Sequence, residues 1–193
     1  KSGGGEKYFF VGPLARLNVN TSFTTPEADA LLKDFKNGGD PRLAAVDYIE
    51  ARLVEMMHSA ERLVAICGGE LGTGEIRVSA APAAGEFRSI IEAPRGILIH
   101  DYEADDQGKV TSANLIVATQ NNYDAINHSI TALSRHFRKA DNDNLLMNGA
   151  EFALRCFDPC LACATHAAGC MPMRLELRRN GTIERVLRRG VRK

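Results

Sequence analysis

The spacing of apolar residues changes twice along this sequence, and the change limits the fold more than any other feature does. Residues 25–37 have helical spacing, with Thr-Pro at their start and a glycine pair after their end, which predicts a capped helix. A longer helix is predicted to begin with Asp40 as its cap and Pro41 in its first turn, and to end at Gly68 and Gly69. The early part of the chain is therefore predicted to be helical.

The middle of the chain has a different pattern. Two apolar runs, residues 97–99 and 115–117, are separated by an acidic turn that ends at Gly108, which is typical of a β-hairpin. Helical spacing then returns, with Asn121 or Asn122 as a candidate cap. Because no internal repeat is present, these segments predict one domain of the α+β class that is mainly α, with long helices and a β-hairpin.

Charge and composition argue against several classes of protein. The 193 residues carry 24 acidic and 24 basic side chains, so no strong overall field favours nucleic acid or an anionic membrane. No apolar run approaches the roughly 20 residues that a membrane helix needs. The five cysteines are odd in number and clustered, which argues against a secreted disulfide framework. We therefore expect a cytoplasmic protein without a nucleic-acid partner or membrane span, and we interpret the arginine-rich residues 174–193 as a solvated face.

Cysteine and histidine are concentrated in the segment CFDPCLACATHAAGC. Asp158 and Pro159 predict a helix start, which places Cys160 in a first turn where unpaired N–H groups favour the thiolate. Cys160, Cys163 and His166 then follow one helix face at a spacing of three. Convergent thiolates of this kind bind soft or borderline metals.

The residues alone leave three interpretations of these cysteines open. A dithiol redox pair is one, although the βαβ pattern of thioredoxin-type motifs is missing. A structural zinc site is another, although zinc usually takes two separated ligand pairs and this chain has one CxxC. A pair of inert buried thiols is the third; the Asp-Pro start disfavours it, but it suits Cys156 and Cys170 better than a ligand role.

Four segments in the same order resemble the [NiFe]-hydrogenase large subunit, and together they span nearly the whole chain. They are VGPLARLNV at 11–19, EAPRGILIHDY at 92–102, NLIVATQNNYDAIN at 114–127 and DPCLACATHAAGCMPM at 158–173. The resemblance is greatest to the cytosolic branch that couples hydrogen to NAD, F420 or heterodisulfide chemistry. It implies the hydrogenase large-subunit fold and reversible heterolytic cleavage of H2.

The resemblance also implies a metal centre. In the family, four thiolates from two CxxC motifs hold nickel, and two of them bridge to an iron that carries CO and cyanide. Cys160 would be a terminal nickel ligand and a candidate proton acceptor, and Cys163 would be a bridging ligand. His166 would bind a magnesium-type ion, with the backbone carbonyl of Leu115 as its neighbour.

A pocket for the diatomic ligands is implied as well. Arg95 and Thr119 match the positions that donate hydrogen bonds to cyanide, which needs such donors in an apolar cavity. Pro94 and Ala118 would form the apolar wall. Arg95 would further assist H2 cleavage as a base or as an electrostatic partner. Without the resemblance, an arginine on a hairpin is most simply a partner in a surface salt bridge.

Several parts of the implied enzyme are missing from this sequence. The family's first CxxC is absent, and Cys67 lacks a second cysteine beside it. We therefore expect a fragment, or one half of a split subunit, that supplies half of the nickel ligands and is inactive alone. The implied partners are the missing N-terminal half, an iron–sulfur small subunit, metallochaperones and a maturation protease.

The expected division of the chain follows from that protease. Residues 1–166 would be the C-terminal portion of the large subunit, and residues 167–193 an extension removed after His166. Two other functions are weighed against this one. A non-catalytic electron-transfer subunit like that of respiratory complex I is disfavoured by the retained Cys160 and Cys163, and a small zinc-stabilised domain can be separated by metal analysis.

Overall fold

The computed structural model describes residues 9–70, 72–137, 142–160 and 173–189. The chain forms two compact units, which divide between Asn122 and Tyr123 and are called here the N-terminal and C-terminal units. The helices and two small antiparallel sheets confirm the α+β class that is mainly α.

Three helices build the core of the N-terminal unit: α1 (Pro13–Val19), α2 (Pro26–Asn37) and α3 (Asp47–Ala65). Their buried apolar side chains, together with one residue that precedes α1, are Val11, Leu14, Leu17, Ala28, Leu32, Phe35, Tyr48, Ala51 and Val54. Helix α2 confirms the prediction for residues 25–37.

Helix α3 begins later than the sequence predicts. The Asp47 carboxylate accepts a hydrogen bond from the Ala44 amide at 3.0 Å and pairs with Arg42 at 2.6 Å. These contacts hold the chain before Asp47 in turns, so Asp40 does not cap this helix. After α3, a π-helical segment (Ile66–Glu70) contains Gly69 at φ 120°, which confirms the predicted end at the glycine pair.

A three-stranded sheet follows, with β1 (Gly85–Ala93), β2 (Gly96–Ala104) and β3 (Val110–Ile116) in the order β1-β2-β3. Strands β2 and β3 form the predicted hairpin, whose turn is closed by Asp105 accepting from the Gln107 and Lys109 amides. Strand β1 is an additional strand that the sequence pattern does not predict. A 3-10 helix (Ala118–Asn122) comes after the sheet.

The C-terminal unit contains α4 (Tyr123–Phe137), α5 (Asp143–Cys156) and a hairpin of β4 (Met173–Arg179) with β5 (Thr182–Arg189). The Asn142 side chain caps α5 by accepting from the Leu145 amide at 3.1 Å. An apolar cluster joins the hairpin to the helices through Leu146, Met147, Leu187, Phe137, Met173, Leu175 and Leu177.

The arginine-rich strands fit their interpretation as a solvated face. Arg178 pairs with Glu176 at 2.7 Å, and Arg179 pairs with Glu184 at 2.9 Å, with all four side chains partly exposed. Such pairs contribute little to stability but keep the hairpin surface hydrated. None of the helices within the described ranges combines the length and apolar character needed to cross a lipid bilayer.

Helix α3 also carries an apolar stripe on its outer side. The exposed positions are related by spacings of three, four and seven residues, which place them on one helix face. They are Ile49, Leu53, Met56, Met57, Leu63 and Val64. Since Tyr48, Ala51 and Val54 fill the inner face, α3 is apolar on two sides, as in a helix that packs between neighbours.

Candidate functional site

The proposed pocket residues Pro94 and Arg95 form the two-residue turn between β1 and β2. Ala93 and Gly96 are the last paired residues of the two strands. Gly96 has φ 140°, a conformation that a residue with a side chain rarely adopts. The turn therefore depends on a glycine directly after Arg95.

Arg16 of α1 binds this turn through its guanidinium group. Nη1 donates to the Ala93 carbonyl at 3.0 Å, and Nη2 donates to the Pro94 carbonyl at 2.8 Å. Nε and Nη2 also donate to the two carboxylate oxygens of Glu55 at 2.6 Å each, and Nη1 reaches Glu92 at 2.8 Å. Burial alone would lower the pKa of Arg16, but the hydrogen bonds to Glu55 and Glu92 raise it above its ordinary value. The side chain thus links α1, α3 and the turn as a fixed cation.

The segment before α1 approaches the same turn closely. Gly12 has φ 102°, and a Cβ atom placed there would lie 2.8 Å from the Arg95 carbonyl oxygen. A Cβ atom on Gly96 would overlap the Val11 side chain. Both glycines are therefore required for the two backbones to pack together.

The 3-10 helix is tied to the same segment. The Val11 amide donates to Asn122 Oδ1 at 2.8 Å, and Asn122 Nδ2 donates to the Val11 carbonyl at 3.2 Å. Tyr48 Oη donates to that carbonyl at 2.9 Å, and burial raises the pKa of Tyr48. Asn121 Nδ2 donates to the Ile97 carbonyl at 3.0 Å.

These contacts correct one prediction about the asparagines. The sequence offers Asn122 as a helix cap, but its side chain is occupied by the backbone of Val11, 111 positions away in sequence. Ala118 and Thr119, two of the predicted pocket residues, are buried in the same 3-10 helix. We call the whole assembly the Val11 framework: Val11, Gly12, Arg16, residues 93–97 and residues 118–122.

The Val11 framework brings together parts of three segments that carry the resemblance. Pro94, Arg95, Ala118 and Thr119 all belong to it. Leu115, the predicted neighbour of the ion site, lies on β3 opposite His100. The sequence does not predict the roles of Arg16, Asn122 and Tyr48, although Arg16 and Asn122 stand inside segments that carry the resemblance.

Cys160 belongs to the C-terminal unit, shortly after α5. The Asp158 amide donates to the Arg155 carbonyl at 3.0 Å, and Asp158 has φ 48°. This left-handed residue follows the end of α5, and residues 158–160 have no regular secondary structure. The rest of the helix predicted to start at Asp158 and Pro159 lies outside the described residues. The Cys160 side chain is half-buried.

The remaining predicted ligands, Cys163 and His166, lie outside the described residues, as does Cys170. Within the ranges that the structure describes, no group of three His, Cys, Asp or Glu side chains could hold a metal ion. Of the predicted site residues, the structure thus describes those of the Val11 framework and Leu115, which belong to the N-terminal unit, and Cys160, which belongs to the C-terminal unit.

Two curated relatives match most of this chain. The NAD-reducing hydrogenase HoxS subunit beta of Cupriavidus necator is 36% identical over 170 residues, which cover 84% of this chain and 35% of the relative. An F420-non-reducing hydrogenase iron-sulfur subunit of Archaeoglobus profundus is 41% identical over 170 residues, which cover 86% of this chain and 35% of the relative. The chain thus spans about a third of the length of each relative. No protein-family model matches it.

Solved hydrogenase structures have the same fold. A crystal structure of an NAD⁺-reducing [NiFe]-hydrogenase in the H2-reduced state superposes with a TM-score of 0.74 at 37% identity, over 85% of this chain and 37% of that one. A variant of the [NiFeSe] hydrogenase from Desulfovibrio vulgaris Hildenborough gives 0.58 at 27% identity, over 81% of this chain and 35% of that one.

Sequence and structure thus define the chain as hydrogenase-related. It belongs to the [NiFe]-hydrogenase large-subunit family, of which it corresponds to the C-terminal part.

Proposed function

We propose that this chain supplies two of the four nickel ligands, and the pocket for the iron's diatomic ligands, in an enzyme that reversibly cleaves H2 into two protons and two electrons. The observation that carries this proposal is the Val11 framework, which holds Arg95 and the buried Thr119 in one assembly. A turn that served only for a surface salt bridge would not need the close packing of Gly96 on Val11 and of Gly12 on the Arg95 carbonyl.

The types of side chain in the CxxC segment are those that a nickel–iron centre needs as metal ligands. Cys160 is a half-buried cysteine, and Cys163 lies three positions further along the same CxxC. Thiolates are the ligands that select soft and borderline metals, and the one histidine of the motif suits a neighbouring ion. Two further thiolates must come from a second CxxC, which this chain does not carry.

Each of the proposed site residues has a distinct role in the reaction. When bound, the nickel–iron centre supplies the electron-accepting site at which H2 is polarised. Cys160 Sγ would accept the first proton, while the Arg95 guanidinium would act as a fixed positive charge that needs no reorganisation during the reaction. With the centre bound, Thr119 would donate a hydrogen bond from its hydroxyl group to a diatomic ligand, and Pro94 with Ala118 would limit the access of water.

Partner polypeptides complete the proposal. A chain portion with the first CxxC would supply the other thiolates, and an iron–sulfur small subunit would accept the two electrons. The apolar stripe on α3 supports such a partner, because side chains such as Leu53 and Met56, 59% and 64% exposed, are costly to leave in water. Metallochaperones, a maturation protease acting after His166 and a cytoplasmic location remain predictions, as does a magnesium-type ion between His166 and the Leu115 carbonyl.

Metal analysis of the assembled enzyme tests the proposed function. The chain is produced together with its small subunit, along with the polypeptide that carries the first CxxC. We expect about one nickel per assembly and infrared bands of bound CO and cyanide, both lost on Cys163→Ser. Cys67→Ser, which changes an exposed cysteine, is the matched control and should leave both signals unchanged. One zinc per chain in place of nickel would instead establish the zinc-stabilised domain.

A further inference from the structure

The β1–β2 turn needs support from outside its own hairpin. Proline fixes φ near −65°, so Pro94 excludes the primed turn types that match the twist of two paired strands. Arg95, the next residue, does not have a positive φ either. The Pro94 carbonyl, at the first central position of the turn, is not used by the turn's own hydrogen bond. It accepts from Arg16 Nη2 instead.

Both peptide groups that flank Arg95 are held by α1 and the residue before it. On one side, the carbonyl of Pro94 is bound by Arg16 at 2.8 Å. On the other side, the Arg95 carbonyl packs against Gly12, where a Cβ atom would come within 2.8 Å. Because two fixed peptide planes leave little freedom in φ and ψ, the direction of the Arg95 Cα–Cβ bond is fixed as well.

We propose that Arg16 is a positioning residue that sets the backbone of Arg95 and, through it, the placement of the Arg95 guanidinium during H2 cleavage. The backbone part of this proposal stands on the contacts alone, and the part concerning H2 rests on the proposed function. Arg16 itself touches no reacting group.

The number of bonds explains why this residue is an arginine. A guanidinium has five N–H donors in a planar fork, and Arg16 directs all five to Glu55, Glu92 and the carbonyls of Ala93 and Pro94. The bidentate bond to Glu55 anchors the fork on α3, with both side chains about four-fifths buried. Lysine has three donors on one atom and cannot bind the carboxylate and both carbonyls in this geometry.

Hydrogen exchange of the backbone amides tests the proposal on the full 193-residue chain without metal. Arg16→Gln should speed exchange at Arg95, Gly96 and Ile97 by about tenfold, as expected when one or two charge-assisted hydrogen bonds are lost. Arg16→Lys should give an intermediate rate, because it keeps the charge beside Glu55 but not the fork. Amide exchange in the core of α2 reports the global stability of the unit, and the exchange rates of the turn amides are compared with the rates in α2.

Arg42→Gln is the matched control for these variants. Arg42 has the same 18% side-chain exposure as Arg16 and also pairs with two carboxylates, those of Asp47 and Glu50, but it contacts α2 and not the turn. It should lower global stability without a selective change at Arg95. Equal turn exchange in the Arg16→Gln and Arg42→Gln variants, or wild-type exchange in Arg16→Lys, would overturn the proposal.

Kinetics of the assembled enzyme test the catalytic part. In Arg16→Lys, kcat should fall by about tenfold or more while KM for H2 changes by less than about twofold, since misplacement of a reacting-site group acts on the transition state. Nickel content and the infrared bands should stay at wild-type levels, which separates this result from a failure of metal binding. A loosened turn with unchanged kcat would refute the role in catalysis. Absence of nickel from the wild-type assembly would instead refute the proposed function and leave the exchange result valid.

Discussion

Buried hydrogen bonds hold the Val11 framework of the N-terminal unit, whereas the β4–β5 hairpin packs on α5 in the C-terminal unit through an apolar cluster with ion pairs at its edge. In the first region, buried Asn122 binds both backbone groups of Val11 and Arg16 binds two carbonyls of the turn. In the second, Leu146 and Met147 pack against strand residues, and partly exposed ion pairs join Arg185 to Asp143 and Arg189 to Glu151. Hydrogen bonds specify orientation, while apolar area provides cohesion with less directional control. The pocket side of the proposed site is thus oriented more strictly than the hairpin contact.

The largest effect is expected from Gly96→Ala in the Val11 framework. The new methyl group would overlap Val11, and φ 140° is strained for alanine, so the free energy of unfolding should fall by about 3 kcal/mol or more. Urea unfolding measures this change. Gly68→Ala is the control, because a Cβ atom there meets nothing within 4 Å. Similar stability of the two variants would show that the close approach of Val11 and Gly96 is absent.

Apolar cohesion of the C-terminal unit is tested by Leu146→Ala. Leu146 is 4% exposed in the cluster under the hairpin, so the free energy of unfolding should fall by about 2 to 3 kcal/mol. Its neighbour Leu145 is 38% exposed, and Leu145→Ala should cost less than about 1 kcal/mol. Denaturant unfolding of both variants provides the comparison, and equal losses would argue against a hairpin packed on this face of α5.

A smaller loss is expected when the framework loses one polar partner. Asn122→Ala leaves the buried Val11 amide without its acceptor, which should cost about 1 to 2 kcal/mol of unfolding free energy. The Val11 carbonyl keeps its bond from Tyr48. Asn121→Ala removes a half-buried bond to Ile97 and should cost less. If Asn121→Ala lowered the unfolding free energy more than Asn122→Ala, the position of Val11 in the framework would not depend on Asn122.

The smallest effect is a change in the acid dependence of stability. Burial alone would raise the pKa of Glu61, but hydrogen bonds from the Glu27 and Ala28 amides, with Thr25 and nearby His58, lower it below the ordinary 4.5. A lowered pKa in the folded state means that this stabilisation is present above about pH 4.5 and is lost as the pH falls through the lowered value.

Unfolding of Glu61→Gln as a function of pH tests this assignment. The variant should be less stable than the wild type at about pH 7, and the two should converge as the pH falls through the lowered pKa of Glu61. Glu75→Gln removes the same charge at an exposed site and should run parallel to the wild type. A constant difference in unfolding free energy at all pH values would show that the effect of Glu61 is not electrostatic. The hydrogen bonds from the Glu27 and Ala28 amides to Glu61 would then not count among the polar contacts that stabilise the N-terminal unit.

Local sequence patterns predict the helices and strands whose apolar residues are regularly spaced. They miss an exposed strand and a helix start that depends on a particular side-chain contact. The start of α2 and the β2–β3 hairpin follow from Thr-Pro and Gly108, which act within a few residues. Strand β1 is missed because it is exposed along nearly its whole length, so no alternation of burial marks it. The start of α3 is misplaced because the carboxylate of Asp47, and not that of Asp40, binds the preceding chain.

The candidate site is predicted by motif, but its supporting contacts could not be. Arg95, Thr119 and Cys160 come from segments that resemble a family. Asn122 acts on Val11 across 111 positions, and Arg16 acts on Pro94 across 78, distances over which local propensity carries no information. The carboxylate partner Glu55 is likewise an ordinary helix-surface residue in sequence. Hydrogen bonds between residues so far apart in sequence are therefore visible only in the structure.

The reciprocal fit of Gly12 and Gly96 has a consequence for protein engineering. Because each lacks a side chain where the other segment's backbone or side chain passes, the two segments form one interlocking unit. Chimaeras of this chain that replace residues 11–16 or residues 92–97 with those of a relative should need both glycines and the bulk of Val11. A crossover between these segments is tolerated only where the parents share that steric pairing.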